Sequence, residues 1–484
     1  MAESSDDDLK FLRRGTVLHA LGLVAGNVSP VLAILLARTF SPEDFGLYVS
    51  LQLLVLTLTR IAVLGLDRGL CWYLAIHRDE PARGEQALAA ATWVTTGLCL
   101  VIIGAVGLAW AGDLLAWIPG SEDLDGAFTF ACFLGLLPWT LLHLHAGAFE
   151  GLKRPEYRIF VSQGFVMSLA PASALLFVWL FPALGRWSMP LGLFLANTTG
   201  AAIVIWAAKR RMPALRYLPL RGLDRGLLAY SVPMGLSSFL AGLLQRIDLW
   251  MLVTFMGAAP AAVYAVMTML SNGVRTVRQS YDQLLVPLVG GMPEGDRDRL
   301  AQVFSYAVHI VSSIQLPIAV AVLVFPEEIL LIAGKDYVIA PEALAILLTG
   351  SLVQGFLGLT SPVLAGRGRS GALLVMTVVS LALNIALNAW FIPRLGITGA
   401  ALATTISVAV ISVASLVMQV VETRSWLFQR HLAINFVMIV AFVASEVLFQ
   451  EELLAWPLWK RLVVFVVGSA VVGVHAWVKR SRRS

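Results

Sequence analysis

The sequence predicts an all-α polytopic membrane protein. It would have about 14 transmembrane helices, arranged as two pseudo-symmetric six-helix lobes around a central cavity, plus two C-terminal helices. Three observations carry this prediction. The 484 residues are 58% hydrophobic and only 13% charged, with a mean hydropathy of +0.81, whereas soluble domains are about 25% charged. Apolar runs of about 20 residues, the length that crosses a bilayer, recur along the whole chain. Lys and Arg alternate strongly between the segments that connect those runs. Lipid is therefore the solvent for most of the chain. The net charge of +5 is not a nucleic-acid footprint, and no nucleic-acid partner is expected.

The candidate spans are 15–37, 45–66, 86–111, 124–149, 157–181, 189–208, 227–250, 261–286, 301–325, 341–364, 370–392, 397–421, 432–449 and 458–478. Met1 to Arg14 form a polar tail without a cleavable signal pattern, because the apolar run that follows is too long for a signal core. With that tail inside, the inner segments hold 25 Lys and Arg and the outer segments six. The remaining four, Arg60, Arg246, Arg275 and Arg278, fall inside spans. This asymmetry places both termini in the cytoplasm. Cys71, Cys99 and Cys132 sit in or beside apolar runs without metal-ligand spacing, so they read as small buried hydrophobes; no disulfide, metal or cofactor is expected. His143 and His145 have no carboxylate partner nearby in sequence, which argues against a metal site.

The halves echo each other. Leu36–Leu51 aligns with Leu252–Met267 at an offset of 216, setting Tyr48 on Tyr264. Ala148–Arg154 aligns with Val363–Arg369 at an offset of 215, setting Gly151 on Gly366 and Arg154 on Arg369. A weaker echo pairs Gly192 with Gly399. Six helices per half keep both halves in one orientation, a parallel repeat. The expected domains are a tail (1–14), an N-lobe (15–208), a basic linker (209–226), a C-lobe (227–421), and helices 13 and 14 with a basic tail (422–484). Two such lobes sharing a cavity rock between inward- and outward-open states.

Charge inside the spans points to the site. Arg275, Arg278 and Asp282 are spaced three and four apart, so they share a face of the eighth span. An Arg at a helix centre costs about 2.5–3.5 kcal/mol on insertion scales, and such residues usually face a cavity or a partner. By rise per residue, Arg278 lies about 4–5 Å and Asp282 roughly 10 Å further in than Arg275. The 216 offset sets Arg60 beside Arg275, so each half supplies an Arg. Arg presents a planar fork that matches phosphate oxygens and keeps its charge in a low dielectric. An anionic, phosphate-bearing substrate follows, with Arg60, Arg275 and Arg278 as its cationic contacts. His19, Asn27, Gln245, Arg246, Asp248, Gln279 and Asp282 are the other polar or gating candidates. The competing reading has these arginines bonded internally, with Arg278–Asp282 as a local pair that only staples helices. Asp282 fits an inner gate or such a pair.

One string carries a resemblance. Ser41-Pro42-Glu43-Asp44-Phe45-Gly46-Leu47-Tyr48, after Leu36-Ala37-Arg38, resembles the first outer turn of the bacterial polysaccharide (oligosaccharide-lipid) flippases. These belong to the multidrug/oligosaccharidyl-lipid/polysaccharide exporter superfamily. Gly65-Leu66-Asp67-Arg68 is similar to the end of that family's second helix, and Pro233 with Arg246-Ile247-Asp248 to its seventh. The turns Glu150-Gly151-Leu152-Lys153-Arg154 and Gly366-Arg367-Gly368-Arg369 are also family-like, and the resemblance covers most of 11–421. Ala262-Val263-Tyr264 departs from it, since the family has Gly before the Tyr.

The resemblance implies transport of undecaprenyl-diphosphate oligosaccharides from the cytoplasmic to the periplasmic leaflet of the bacterial inner membrane, for polysaccharide biosynthesis. Arg60, Arg275 and Arg278 would hold the diphosphate, the polar cavity would take the glycan, and the lipid tail would stay in the bilayer. The implied partners are a lipid-diphosphate-linked glycan, membrane lipid, and polysaccharide polymerase or glycosyltransferase machinery. Two alternatives compete. A drug/cation antiporter of the same superfamily would need deep carboxylates, and a membrane glycan polymerase or ligase would need a sizeable outer loop. The deep charges are mainly basic and no loop is long, so a non-enzymatic flippase is the expectation.

Overall fold

A computed structural model describes residues 8, 10–12, 14–15, 32, 35–36, 38–112, 126–213, 215–217, 224–293, 295–331, 335, 338–424, 427, 432, 436–437, 439–440, 456–457 and 460–463. The first, thirteenth and fourteenth expected spans fall mostly outside this set. Among the described residues all regular structure is helical. The chain is an all-α polytopic membrane protein of two lobes. It divides into two compact units. The N-terminal unit is Arg13–Phe239 with Val286–Gly291, and the C-terminal unit is Leu240–Leu285 with Met292–Ser484 and Met1–Leu12. The dividing points lie inside two helices, and the described part of the basic segment (209–213, 215–217, 224–226) belongs to the N-terminal unit.

In the N-terminal unit, α1 (Pro42–Val63) starts where Ser41 caps it, its Oγ accepting from the Asp44 amide at 3.1 Å. Pro42 follows at a position whose missing N–H costs nothing. Leu64 and Gly65, both at positive φ, end α1 and turn the chain into α2 (Leu66–Ile76). A Cβ on Gly65 would lie 2.3 Å from the Ser231 carbonyl oxygen and 2.4 Å from the Gly235 nitrogen. Only glycine lets this break meet the helix that begins at Arg225. Next come α3 (Pro81–Ala111), α4 (Gly126–Leu134) and α5 (Leu136–Gly151). α4 and α5 meet at Gly135, whose dihedrals stay helical (φ −68°, ψ −14°), and together they make up one apolar span, Gly126–Gly151. Gly147 and Gly151 let α5 pack on α2, where added Cβ atoms would meet the carbonyl oxygens of Asp67 at 2.3 Å and Cys71 at 2.6 Å. This is the small-residue contact that membrane helices use, because lipid offers no hydrophobic drive to associate. A π-helical turn, Tyr157–Val166, leads into α6 (Met167–Leu180), which packs along α7 (Ser188–Arg211).

The second half supplies α8 (Arg225–Met256), α9 (Ala258–Gly290), α10 (Arg297–Val324), α11 (Pro326–Leu331), α12 (Pro341–Leu357), α13 (Thr360–Gly366) and α14 (Ser370–Thr423). The last is two helices broken at Gly396, whose φ is 60° and ψ −132°. The C-terminal unit's core includes Leu252, Tyr264, Met267, Leu344, Leu348, Ala400 and Ala401, all buried.

The repeat shows in matched backbone details. At the end of α5, Lys153 has φ 58° and the Arg154 amide bonds to the Phe149 carbonyl. At the end of α13, Gly368 has φ 79° and the Arg369 amide bonds to the Leu364 carbonyl. This is the same Schellman-like termination, 215 residues later. Gly185 (φ 49°, ψ −129°) and Gly396 share a second unusual conformation. Tyr48 and Tyr264, paired by the sequence, are both buried.

Apolar side chains face outward, as a lipid solvent demands: Val101, Leu108, Trp179, Val375 and Val413 are exposed. Hydroxyls on these helices return to their own backbone, as Thr59 to Val55, Thr140 to Leu136 and Ser407 to Ala403. No water is available in lipid to satisfy them. Among the described residues seven helices, with α14 counted once, are long and apolar enough to cross a membrane; the bent pair α12–α13 makes eight. Though 33 residues long, α9 is not in that set, because one of its faces is polar. Cys71, Cys99 and Cys132 are buried and free.

Candidate functional site

The C-terminal unit encloses a cavity of about 170 Å³. From α8 it takes Asp248; from α9, Asn272, Arg275, Arg278 and Gln279; from α12, Gln354; from α14, Asn384 and Thr404. The polar face of α9, read from the three- and four-residue spacing of its charges, is thus the wall of a chamber.

Asp248 is 3% exposed, and three uncharged donors hold it. The Tyr264 hydroxyl donates to Oδ2 at 3.1 Å, Asn388 Nδ2 donates to Oδ1 at 2.9 Å, and the Thr404 hydroxyl also donates to Oδ2. Asn388 Nδ2 donates as well to Asn384 Oδ1 at 2.9 Å. Neutral donors stabilise a carboxylate without cancelling its charge.

The arginines differ. Arg278 forms a two-pronged pair with Asp282, at 3.0 and 3.3 Å, one turn along α9. The expected local pair therefore forms, and Arg278 lines the chamber with part of its charge already engaged. Arg275 Nη1 donates to the neutral Asn272 Oδ1 at 3.2 Å, and its buried Nε has no hydrogen-bond partner. A guanidinium is planar and donates readily to an anion's oxygens.

The other expected residues are placed as follows. Arg60 lies in the N-terminal unit, is exposed, and donates from Nη1 to the Ser238 carbonyl at 2.9 Å within that unit. Arg246 is exposed on α8, two residues from the buried Asp248. Gln279 lines the chamber. His19 and Asn27 lie outside the described residues, as does the Gln245 side chain. Asp248, one of the polar or gating candidates, lines the chamber wall, and Asp282 pairs with Arg278. Sequence reasoning passed over Asn384, Asn388 and Gln354. The available signal was Leu383-Asn384-Ile385-Ala386-Leu387-Asn388, two amides one turn apart in an apolar helix, which must share a face and find partners.

The N-terminal unit holds a different cluster. Glu150 is fully buried, Arg158 Nε lies 2.8 Å from its Oε1, and Arg158 Nη2 lies 3.7 Å from Asp67 Oδ2. His145 Nδ1 lies 2.8 Å from the Leu141 carbonyl oxygen and its Nε2 lies 3.0 Å from the Tyr217 hydroxyl. His143 stacks edge-on against Trp139.

Residues 35–338 match the family model described as "Polysaccharide biosynthesis protein". No curated protein sequence matches the chain significantly. Solved structures share its fold. The Vibrio cholerae MATE transporter VcmN, in the bent form, is 16% identical with a TM-score of 0.71, covering 88% of this chain and 100% of that one. A multidrug resistance MATE family transporter of the MOP superfamily, in an outward-facing conformation, is 16% identical with a TM-score of 0.69, covering 90% and 97%. The MATE transporter ClbM, in complex with Rb⁺, is 16% identical with a TM-score of 0.67, covering 84% and 93%. A two-lobed helical membrane fold and a family match over residues 35–338 agree: this chain has the fold of the MATE transporters and belongs to the polysaccharide biosynthesis protein family.

Proposed function

We propose that the protein moves an undecaprenyl-diphosphate-linked oligosaccharide from the cytoplasmic to the periplasmic leaflet of the bacterial inner membrane by alternating access, with both termini in the cytoplasm. One observation carries the reading. Arg275 is a guanidinium lining a polar chamber in a membrane protein, with a buried, unbonded Nε. Burying that charge is costly unless something anionic uses it. The family match favours a glycan carrier. In this reading Arg275 and Arg60 each contribute a contact to the diphosphate during the cycle, and Arg278 reinforces the field while tied to Asp282. An inside-negative potential favours outward movement of the anion by about 2.3 kcal/mol per charge per 100 mV. The role is transport, with no glycan bond made or broken.

The test is surface polysaccharide in a strain lacking its own flippase, complemented by the wild type, Arg275→Ala or Arg60→Ala, with membrane insertion checked by immunoblot. Both variants are expected to lose export while inserting normally. Full export by both would refute the anion reading.

Asp248 favours a second reading. A deep carboxylate held by neutral donors is neutralised by a proton or a monovalent cation, as a drug/cation antiporter requires. The MATE transporter ClbM is known in complex with Rb⁺, which supports testing a monovalent cation as a coupling ion for the flippase too. Protection of a drug-sensitive strain against cationic dyes, lost in Asp248→Asn, would favour the antiporter. No protection, with polysaccharide export restored by the wild type, favours the flippase.

A further inference from the structure

We propose that the last turn of α7 is a binding site for anionic phospholipid headgroups, formed by Lys209, Arg210 and Arg211 with Trp206. It shares with the transport reading only the topology, which sets this helix end at the cytoplasmic leaflet. One face of α7 is turned to lipid. Leu191, Phe194, Leu195, Ile203 and Trp206 are all exposed and lie on the same side of the helix. Trp206 is 57% exposed. Lys209 and Arg210 continue that face past the indole, and Arg211 follows; all three are exposed.

Aromatic faces, and not acids, position these cations. Arg210 Cζ lies 4.2 Å from the centre of the Trp206 ring, Lys209 Nζ 5.8 Å from that of Tyr217, and Arg211 Cζ 5.8 Å from that of Tyr157. Among the described residues no carboxylate pairs with any of the three. The chain has no acid between Glu156 and Asp224. Asp224 is itself engaged by Arg83 and by the Gly226 and Leu227 amides. An aromatic face holds a cation without cancelling its charge. A stacked guanidinium keeps its in-plane N–H donors for phosphate oxygens. Tyr217 is held in turn: its hydroxyl lies 3.0 Å from His145 Nε2, and its carbonyl accepts from Trp93 Nε1.

The order along the helix matches a phospholipid. The exposed apolar stripe lies against the acyl chains, Trp206 sits at the headgroup level where indoles collect, and the cations beyond it meet the phosphate. A free phosphate has no use for the stripe. A zwitterionic lipid brings its own ammonium into a cluster of like charge, and an anionic lipid does not. The other half offers a comparison. At the end of α14 Glu422 pairs with Arg369 at 2.6 Å. A span end can thus be neutralised by an acid, and that of α7 is left bare. A signal that only set topology needs the charges and not the indole stacked on one of them.

The experiment is native mass spectrometry of the full-length protein released from detergent and titrated with phosphatidylglycerol or with phosphatidylcholine of the same chains. Wild type, Arg210→Gln, Trp206→Leu and Arg297→Gln are compared, each with its thermal melt recorded. Arg297, exposed at the start of α10, controls for net charge. The wild type is expected to bind phosphatidylglycerol at least about tenfold more tightly than phosphatidylcholine. Arg210→Gln should weaken phosphatidylglycerol about fivefold, and Trp206→Leu about two- to fivefold, with Arg297→Gln unchanged. Trp206→Leu keeps every charge, so the proposal stays testable if Arg210→Gln fails to insert. Equal wild-type affinity for the two lipids would overturn the site and leave the chamber reading untouched. So would equal losses in Arg210→Gln and Arg297→Gln, or an undiminished affinity in Trp206→Leu. Undecaprenyl diphosphate is the competing probe. Mole-for-mole displacement of phosphatidylglycerol by it in the wild type, absent in Arg210→Gln, would assign the patch to the cargo lipid and overturn the phospholipid proposal.

Discussion

In the N-terminal unit the buried Glu150 meets an opposite charge: Arg158 lies 2.8 Å from it and 3.7 Å from Asp67. In the C-terminal unit Asp248 is held by neutral donors, and Arg275 donates to the neutral Asn272. Both units carry the same helix-end geometry, so the backbone alone does not explain the contrast. What differs is whether the buried acid meets an opposite charge: Glu150 pairs with Arg158 and Asp248 bonds only amides and hydroxyls. Where it does, the cluster is a staple. Where the acid is held by amides and hydroxyls, polar side chains line a hollow.

The contrast can be broken by mutation, and the largest effect belongs to the staple. Glu150→Ala leaves Arg158 charged and buried, which costs about 3–5 kcal/mol. Thermal unfolding in detergent should fall steeply, and an unchanged melt would show that the pair contributes no stability. Next comes Tyr264→Phe, which removes one of three bonds to the Asp248 carboxylate and should cost roughly 1.5–3 kcal/mol. Chemical unfolding would measure it; no loss would mean that Thr404 and Asn388 hold Asp248 alone. The smallest effect lies outside both clusters. Asp224 accepts from the Gly226 and Leu227 amides at the start of α8, so Asp224→Ala should cost about 1 kcal/mol with export intact.

Asp224 also makes a pH prediction. Burial raises its carboxyl, but bonds from Gly226, the Tyr73 hydroxyl, Leu227 and Arg83 outweigh that and hold it below its ordinary 3.8. Its stabilisation is therefore fully present above pH 3.8 and lost as pH falls through the depressed value. The stability difference between wild type and Asp224→Ala should shrink only below that pH; a difference that shrinks near neutrality would contradict this assignment.

Much of this architecture is legible in the sequence because lipid imposes simple rules. Span length, alternating basic segments and the 215-residue echo of Gly151 at Gly366 all reflect local or periodic constraints. The polar face of α9 is equally local, since Arg275, Arg278 and Asp282 are neighbours on one helix. The staple is not legible in the same way. Arg158 reads as one more basic residue at the inner end of a span, and only tertiary packing brings it to Asp67. The role of Asp248 is hidden for the same reason, because its partners come from Tyr264 on α9 and from Asn388 and Thr404 on α14. The Asn384–Asn388 pair was visible as an anomaly, but uncharged amides stand out less than arginines when charge is the quantity being read.

The central claim is that the C-terminal chamber binds an anion through Arg275. Its most direct test is the equilibrium affinity of purified wild type and Arg275→Ala for undecaprenyl diphosphate, with melting temperatures recorded on the same samples. The prediction is affinity lower by about 10- to 100-fold, the worth of a charge-assisted hydrogen bond, with an unchanged melt. Equal affinities in two equally folded proteins would contradict the claim.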